Sequence, residues 1–102
     1  MLHLLVFSPM QKNPLDILSA FWGFTAFRPT QEPIIQAALG DVDVLALLPT
    51  GGGKSICFQV PGLVKGGLTL VISPLIALMD DQVKSLKSKG IRASAVTSAM
   101  GF

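Results

Sequence analysis

A glycine-rich turn between an apolar run and a helical pattern constrains this 102-residue sequence more than any other feature. Residues 42–48 are almost continuously apolar, which is typical of a strand buried on both faces of a sheet. The three glycines at 51–53 interrupt the run, and we expect a helix to begin near Lys54 and to be disturbed at Pro61. A strand, a glycine loop and a helix in this order predict an α/β fold.

The rest of the chain alternates helical and strand patterns. The predicted elements are a helix between Asn13 and Gly23, a helix over 30–39, a strand over 68–73, a helix between Leu75 and Gly90, and a strand over 93–97. Alternating strands and helices favour a parallel sheet with right-handed crossovers and flanking helices.

The composition limits what this chain can be. Half of the residues are hydrophobic and only 14% are charged, against about 25% in an ordinary soluble domain, so we expect apolar faces that meet protein absent here. The net charge of +2 is a weak indication of nucleic acid. The single cysteine, Cys57, excludes an internal disulfide, suits a reducing compartment and is predicted to be a buried apolar residue.

Neither apolar segment of the chain predicts a membrane span. Residues 1–7 are apolar but lack the basic region and cleavage site of a signal peptide, and the run over 68–79 is too short to cross a bilayer. We therefore interpret residues 1–12 as a disordered or mis-called extension and residues 13–102 as one incomplete domain, without a membrane partner.

The glycine loop has the composition of a phosphate-binding site. Glycines let successive backbone N–H groups point into one concavity, and the helix that starts at Lys54 adds its unpaired N–H groups and its positive dipole end. Lys54 can reach the β- and γ-phosphates of a nucleotide, and the Ser55 hydroxyl is placed to ligate magnesium. Leu48 stands where the strict pattern has its first glycine, and a glycine turn that binds nothing is the alternative.

Three segments in order resemble a RecQ-family helicase of superfamily two. They are Trp22-Gly23-Phe24 with Phe27-Arg28-Pro29-Thr30-Gln31, then LLPTGGGKSICFQVP at 47–61, and LVISPLIALMDDQV at 70–83. The resemblance runs from about Leu15 to Ala95, and in that family the position of Leu48 is commonly not glycine. It implies a partial RecA-like, P-loop NTPase sheet, with residues 13–102 as the N-terminal part of the first ATP-binding domain.

The resemblance also implies which residues hold ATP. Phe24, Arg28 and Gln31 would hold adenine, and a Gln amide carries the acceptor and donor that match adenine N6–H and N7. The residues implied for the phosphates and magnesium are Thr50, Gly51, Gly52, Gly53, Lys54 and Ser55, with Lys54 as the catalytic cation. Ser73, Pro74 and Leu75, just past a strand end, would line a single-strand DNA path.

The resemblance implies ATP-dependent unwinding of DNA with 3′-to-5′ movement, on single strands and at duplex junctions. It also implies a role in repair and recombination, in the bacterial cytoplasm at the nucleoid. Such a motor needs an Asp-Glu pair and arginines of a second RecA-like domain, which this chain lacks, so we expect a truncated and inactive piece whose partner is the rest of the helicase core. Two alternatives remain: another P-loop ATPase or kinase, and a non-catalytic fragment that binds nucleotide or DNA.

Overall fold

The computed structural model of the chain describes residues 2–7, 13–40, 42–48 and 53–96. Its elements are strand β1 (Leu2–Phe7), helices α1 (Pro14–Trp22), α2 (Gln31–Leu39) and α3 (Lys54–Lys65), strand β2 (Gly67–Ile72), helix α4 (Ile76–Ser88) and strand β3 (Ala93–Val96). They divide into two compact units, one that holds α1, α2 and α3 and one that holds the three strands and α4.

Helix α1 begins and ends where its capping residues predict. The Asn13 side chain accepts a hydrogen bond from the Asp16 backbone N–H at 2.9 Å, and Pro14 occupies the first helical position. Gly23 ends the helix with a φ of 75°, and its N–H donates to the Ser19 carbonyl oxygen at 3.1 Å. The predicted bounds of this helix are confirmed.

Helix α3 contacts both α1 and α2, and the apolar core of this unit lies among the three helices. Its buried apolar side chains are Ile17, Leu18, Ile35, Cys57, Val60 and Leu63. Burying one large apolar side chain contributes about 1.5–3 kcal/mol.

The disturbance that we predicted at Pro61 does not end the helix, which continues to Lys65. Pro61 lacks one N–H, but it lies between the buried Val60 and Leu63, and this packing offsets the missing hydrogen bond.

The strands of the other unit form one sheet in the order β2-β1-β3. Strand β1 is antiparallel to both neighbours, and its Leu2 lies opposite Ile72 of β2 and Val96 of β3. Strands β2 and β3 therefore run in the same direction on either side of β1. Helix α4 connects them, packs against β3 and buries Met79, Val83 and Leu86 at helical spacing.

One expectation about this sheet is wrong for the described residues. The sheet is antiparallel rather than parallel, because β1 takes the position between β2 and β3 and runs against both. Residues 1–12 were expected to be a disordered or mis-called extension, and within them Leu2–Phe7 form the central strand. The predicted order of strand, helix and strand is confirmed by β2, α4 and β3. Strands β2 and β3 also run in the same direction, as the prediction required.

The strand predicted over residues 42–48 is also absent from the described structure. An apolar strand is stable only when neighbouring strands form hydrogen bonds with its N–H and C=O groups. Strands β2 and β3 both pair with β1 and not with residues 42–48. Leu45 and Leu47 are consequently 89% and 88% exposed.

Strand β2 carries an apolar face that the described residues leave open. Leu68, Leu70 and Ile72 alternate along the strand, and each is more than half exposed, so burial on both faces is not observed. This surface agrees with the expectation from composition that apolar faces of the chain are uncovered. Across the described ranges, no helix combines the length and apolarity that crossing a membrane requires.

Candidate nucleotide-binding site

The described part of the glycine loop leads into α3 through a residue that only glycine suits. Gly53 has a φ of 75°, in the left-handed region that L-residues with a side chain rarely adopt. Lys54 follows as the first residue of α3 with an exposed side chain, and Ser55 is half-buried. The first turn of a helix offers unpaired N–H groups and a positive dipole end, so this terminus can receive an anion. Thr50, Gly51 and Gly52 lie outside the described residues.

Gln31 joins this loop to the segment before α2. Its side chain is only 3% exposed, its Oε1 accepts a hydrogen bond from the Arg28 backbone N–H at 2.9 Å, and its Nε2 donates to the Gly53 carbonyl oxygen at 3.1 Å. The two sequence segments assigned to adenine and to phosphate, 22 residues apart at this bond, are thus in direct contact.

The contact leaves no space for a side chain at position 53. A Cβ added to Gly53 would collide with Gln31 Nε2 and would lie 3.7 Å from Arg28 Nη1. The Arg28 guanidinium therefore also lies beside the loop. Three of the predicted site residues, Arg28, Gln31 and Gly53, are brought together by this arrangement.

Phe24 lies on the same connection between α1 and α2 as Arg28. Phe24 is 54% exposed, so its ring is accessible to solvent. An open ring can serve as a stacking surface for a planar base. The exposure argues against the alternative of a core aromatic in the described structure.

Ser73, Pro74 and Leu75 belong to the other compact unit, at the carboxyl end of β2. Leu75 N–H donates to Ser73 Oγ at 3.2 Å, which forms a tight turn before α4. Leu75 is 59% exposed and Pro74 is exposed, so the turn is open to solvent. This position past a strand end is the one that the sequence predicted.

Sequence reasoning missed the packing role of Gln31 and the place of Cys57 beside the loop. Gln31 lies one helical turn before the buried Ile35, and this spacing of four was a signal that Gln31 faces the core. Cys57 is buried as predicted, and its Sγ lies 3.8 Å from the Gly53 carbonyl oxygen as a weak donor. Burial raises the pKa of the Cys57 thiol.

The family of the chain follows from its sequence match. The family model described as DEAD/DEAH box helicase matches residues 28–101, a range that contains Arg28, Gln31, the glycine loop and the turn at 73–75. The chain belongs to the DEAD/DEAH box helicase family. Among the described residues there is no cluster of three or more His, Cys, Asp or Glu side chains suited to a metal ion.

Within that family the chain is similar to RecQ-type helicases, which confirms the resemblance found in its motifs. It is 48% identical over 94 residues to the ATP-dependent DNA helicase RecQ of Pasteurella multocida, with 92% of this chain and 15% of that protein covered. It is 47% identical over 83 residues to the probable ATP-dependent DNA helicase RecS of Bacillus subtilis, with 81% and 17% covered.

The similarity extends to a eukaryotic protein, the ATP-dependent helicase SGS1 of Saccharomyces cerevisiae. The identity is 53% over 94 residues, with 88% of this chain and 6% of that protein covered. The chain therefore spans less than a fifth of the length of these relatives.

Proposed function

We propose that this chain is the ATP-binding part of an ATP-dependent DNA helicase of the RecQ type. The hydrogen bond between the Gln31 side chain and the Gly53 carbonyl supports this proposal most directly, because it joins a base-reading amide to a phosphate-binding loop. A small P-loop kinase or unrelated ATPase has no reason to keep such an amide at this distance before the loop. Residues 13–102 would form the N-terminal part of the first RecA-like domain.

Gln31 and its neighbours would select adenine. The amide presents an acceptor and a donor side by side, which match the N6–H and N7 of adenine but not the O6 and N7 acceptors of guanine. The exposed Phe24 ring would stack on the base, and Arg28 beside the loop would add a cation near the nucleotide.

The start of α3 would hold the triphosphate. Its unpaired N–H groups, together with those of Thr50, Gly51, Gly52 and Gly53, would cradle the phosphates. Lys54 would neutralise charge on the β- and γ-phosphates during transfer, and the Ser55 hydroxyl would hold magnesium, which supplies further charge neutralisation when bound. The left-handed Gly53 and the helix terminus that follows it fit such a ligand.

DNA would be the second substrate of the whole protein. The open turn of Ser73, Pro74 and Leu75 would contact single-stranded DNA, and junctions between single and double strands would be the sites of 3′-to-5′ unwinding in repair and recombination. The Asp-Glu pair and the arginines that such a motor needs would come from the rest of the helicase core. A bacterial protein of this kind would act in the cytoplasm, at the nucleoid.

The experiment that tests the proposal compares two exposed lysines of α3, Lys54 in its first turn and Lys65 in its last. In the full-length protein, Lys54→Ala should abolish DNA-stimulated ATP turnover and unwinding, whereas Lys65→Ala should keep both near wild type. Phosphate release and a forked-duplex unwinding assay measure the two activities. Wild-type unwinding by Lys54→Ala would refute the assignment.

The adenine assignment has its own test on α2. Gln31→Ala should reduce the preference for ATP over GTP by the equivalent of about 1–3 kcal/mol, the value of one bidentate base contact. The exposed Gln36 on the same helix supplies the control Gln36→Ala, whose preference should stay unchanged. Equilibrium titration with both nucleotides gives the ratio, and an unchanged ratio in Gln31→Ala would count against adenine recognition.

A further inference from the structure

Strand β1 separates two strands that run in the same direction. Leu2 pairs with Ile72 of β2 on one side and with Val96 of β3 on the other. Neighbouring strands lie about 4.7–4.9 Å apart, so Ile72 and Val96 are separated by about 9–10 Å across β1. The carboxyl ends of β2 and β3 are therefore held one strand spacing further apart than direct pairing would place them.

The segment formed by β2, α4 and β3 has what direct pairing requires. Parallel neighbours need a crossover of about a dozen residues or more, usually a helix, and α4 is 13 residues long. The range that the helicase family model matches, 28–101, contains this whole segment and does not contain β1. The strand that divides the sheet thus lies outside the matched range, whereas both strands that it divides lie inside.

Strand β2 is built in a way that lets it move. Gly66 and Gly67 lead into it with φ angles of 72° and 77°, a left-handed conformation that is open to glycine and costly for other residues. Helix α4 packs against β3, and the side chains of Leu68, Leu70 and Ile72 are each more than half exposed. A shift of β2 towards β3 would therefore break little packing on this open face.

We propose that β1 is an exchangeable, autoinhibitory strand. Inserted, it keeps β2 and β3 apart; withdrawn, it lets them pair directly as parallel strands. The ligand that is excluded rests on the proposed function: ligands of open parallel sheets bind at the carboxyl ends of the strands. Because β1 runs against its neighbours, Leu2 lies between Ile72 and Val96, the last residues of β2 and β3, next to the turn at 73–75. The inserted strand occupies the edge where single-stranded DNA would bind.

The exchange replaces hydrogen bonds as well as breaking them. Inserted β1 pairs with all six residues of β2 and all four of β3. After withdrawal β3 can pair with β2, and water hydrates the N–H and C=O groups of the released strand, so only part of the ladder is lost. The withdrawn form is then a minor state, populated to about 0.1–10%, which a ligand of the open edge would favour.

A pair of engineered cysteines reports the withdrawn state. A disulfide needs Cα atoms about 4.4–6.8 Å apart, so Ile72→Cys and Val96→Cys are too distant across β1 but within reach once β2 and β3 are neighbours. The pair is placed in the 102-residue chain with Cys57, its single cysteine, replaced by Ala. A cysteine-free soluble protein is fused after residue 102, and oxidation is followed over time by non-reducing electrophoresis.

A proline in β1 should shift the equilibrium towards withdrawal. Leu4 pairs with Leu70 and with Ser94, and proline cannot donate to the ladder of a central strand. Leu4→Val keeps the N–H and is the matched control. The 72–96 disulfide should form at least about tenfold faster in Leu4→Pro than in Leu4→Val. A second pair, Leu68→Cys with Val96→Cys, is offset by about 13 Å along β2 and should stay unbridged in both.

The inhibition is tested in the full-length protein with the same two substitutions and with a deletion of residues 2–7. Binding of a single-stranded oligothymidylate is measured by fluorescence anisotropy. Leu4→Pro and the deletion should each raise the affinity about tenfold or more over Leu4→Val, because apparent affinity scales with the fraction of the competent form. The deletion introduces no proline, so it provides the result if Leu4→Pro does not fold.

The outcomes separate this proposal from the proposed function. Equal rates of 72–96 bridging in Leu4→Pro and Leu4→Val overturn the exchange. Equal rates for the aligned and the offset pair in Leu4→Pro also overturn it, because an unfolded chain brings both pairs together. Rapid 72–96 bridging with unchanged oligothymidylate affinity overturns the inhibition and leaves the proposed function intact. Absence of oligothymidylate binding in every form refutes the DNA role of the turn, and the inhibition with it.

Discussion

A methyl group at Gly53 should destabilise the helical unit more than the same change at Gly23. Both glycines have a φ of 75°, so Gly→Ala imposes the same backbone strain at each. Their surroundings differ, since a Cβ at Gly23 meets nothing within 4 Å whereas a Cβ at Gly53 collides with Gln31 Nε2. The pair of substitutions therefore separates backbone strain from the contact with Gln31.

The expected magnitudes follow from these two terms. A left-handed alanine costs about 1–2 kcal/mol, and the smaller entropy of the unfolded chain offsets about 0.4–1 kcal/mol of it, so Gly23→Ala should cost roughly 0–1.6 kcal/mol. Gly53→Ala carries the same strain and also displaces the buried Gln31 amide. An unpaired buried polar group costs about 1–3 kcal/mol, which brings Gly53→Ala to roughly 1–4.6 kcal/mol.

Trp22 provides the assay, because it is the single tryptophan of the chain and ends α1 in the same compact unit. The chain is carried on a tryptophan-free soluble fusion partner, and urea unfolding is followed by its fluorescence. The difference between the two variants in free energy of unfolding is the quantity of interest. Equal destabilisation by Gly53→Ala and Gly23→Ala would refute the reasoning, because the contact with Gln31 would then contribute nothing.

Three further predictions concern the rest of the chain. Met79→Ala should cost about 2–5 kcal/mol by opening a cavity under α4, whereas Leu78→Ala, 46% exposed in the wild type, should cost much less in the same denaturation assay. Burial raises the pKa of the Cys57 thiol in the folded state, so the unfolded state releases the thiol proton at a lower pH. The contribution of the thiol to stability should therefore be present at neutral pH and decrease in alkaline solution, and Cys57→Ala should reduce that decrease. The 102-residue chain alone should show no ATP turnover and should be poorly soluble. Ile72→Lys, on the open face of β2, should raise its solubility in a sedimentation assay. Magnesium-dependent ATP turnover by a soluble monomer would contradict the prediction of inactivity.

Local signals in the sequence predicted the helices well. Asn13, Pro14 and Gly23 carry their own conformational preferences, so the limits of α1 follow from chemistry within a few residues of each end. The buried stripe of α4 likewise follows from a spacing of three and four residues. These features depend on neighbours in the chain and need no knowledge of distant contacts.

Strand pairing was not predictable in the same way. The apolar run at 42–48 has the composition of a buried strand, but pairing depends on which segments reach each other, and β1 occupies the position between β2 and β3. A short apolar segment such as Leu2–Phe7 has no local feature that distinguishes a central strand from an extension. The antiparallel arrangement is a property of long-range contacts.

The candidate site was predictable in part from the sequence, less fully than the helices and more fully than the strand pairing. Its residue types were identified from motif chemistry and family resemblance, and the structure brings Arg28, Gln31 and Gly53 together. The burial of Gln31 was not anticipated, because a polar side chain at a helix start is usually solvated. Its two hydrogen bonds to backbone groups make that burial stable, and only the folded chain shows both partners.

The central position of β1 sets an order for folding during synthesis. Leu5 pairs with Thr69 and with Ala93, so β1 cannot complete its hydrogen bonds until β3 has been made. At about 5–20 residues per second, β1 waits for its first partner on the order of 3–13 s. The three helices that pack between residues 13 and 65 are synthesised during this interval. The helical unit can therefore fold on the nascent chain while the sheet remains open, and β1 is the element that a holdase chaperone has most reason to cover.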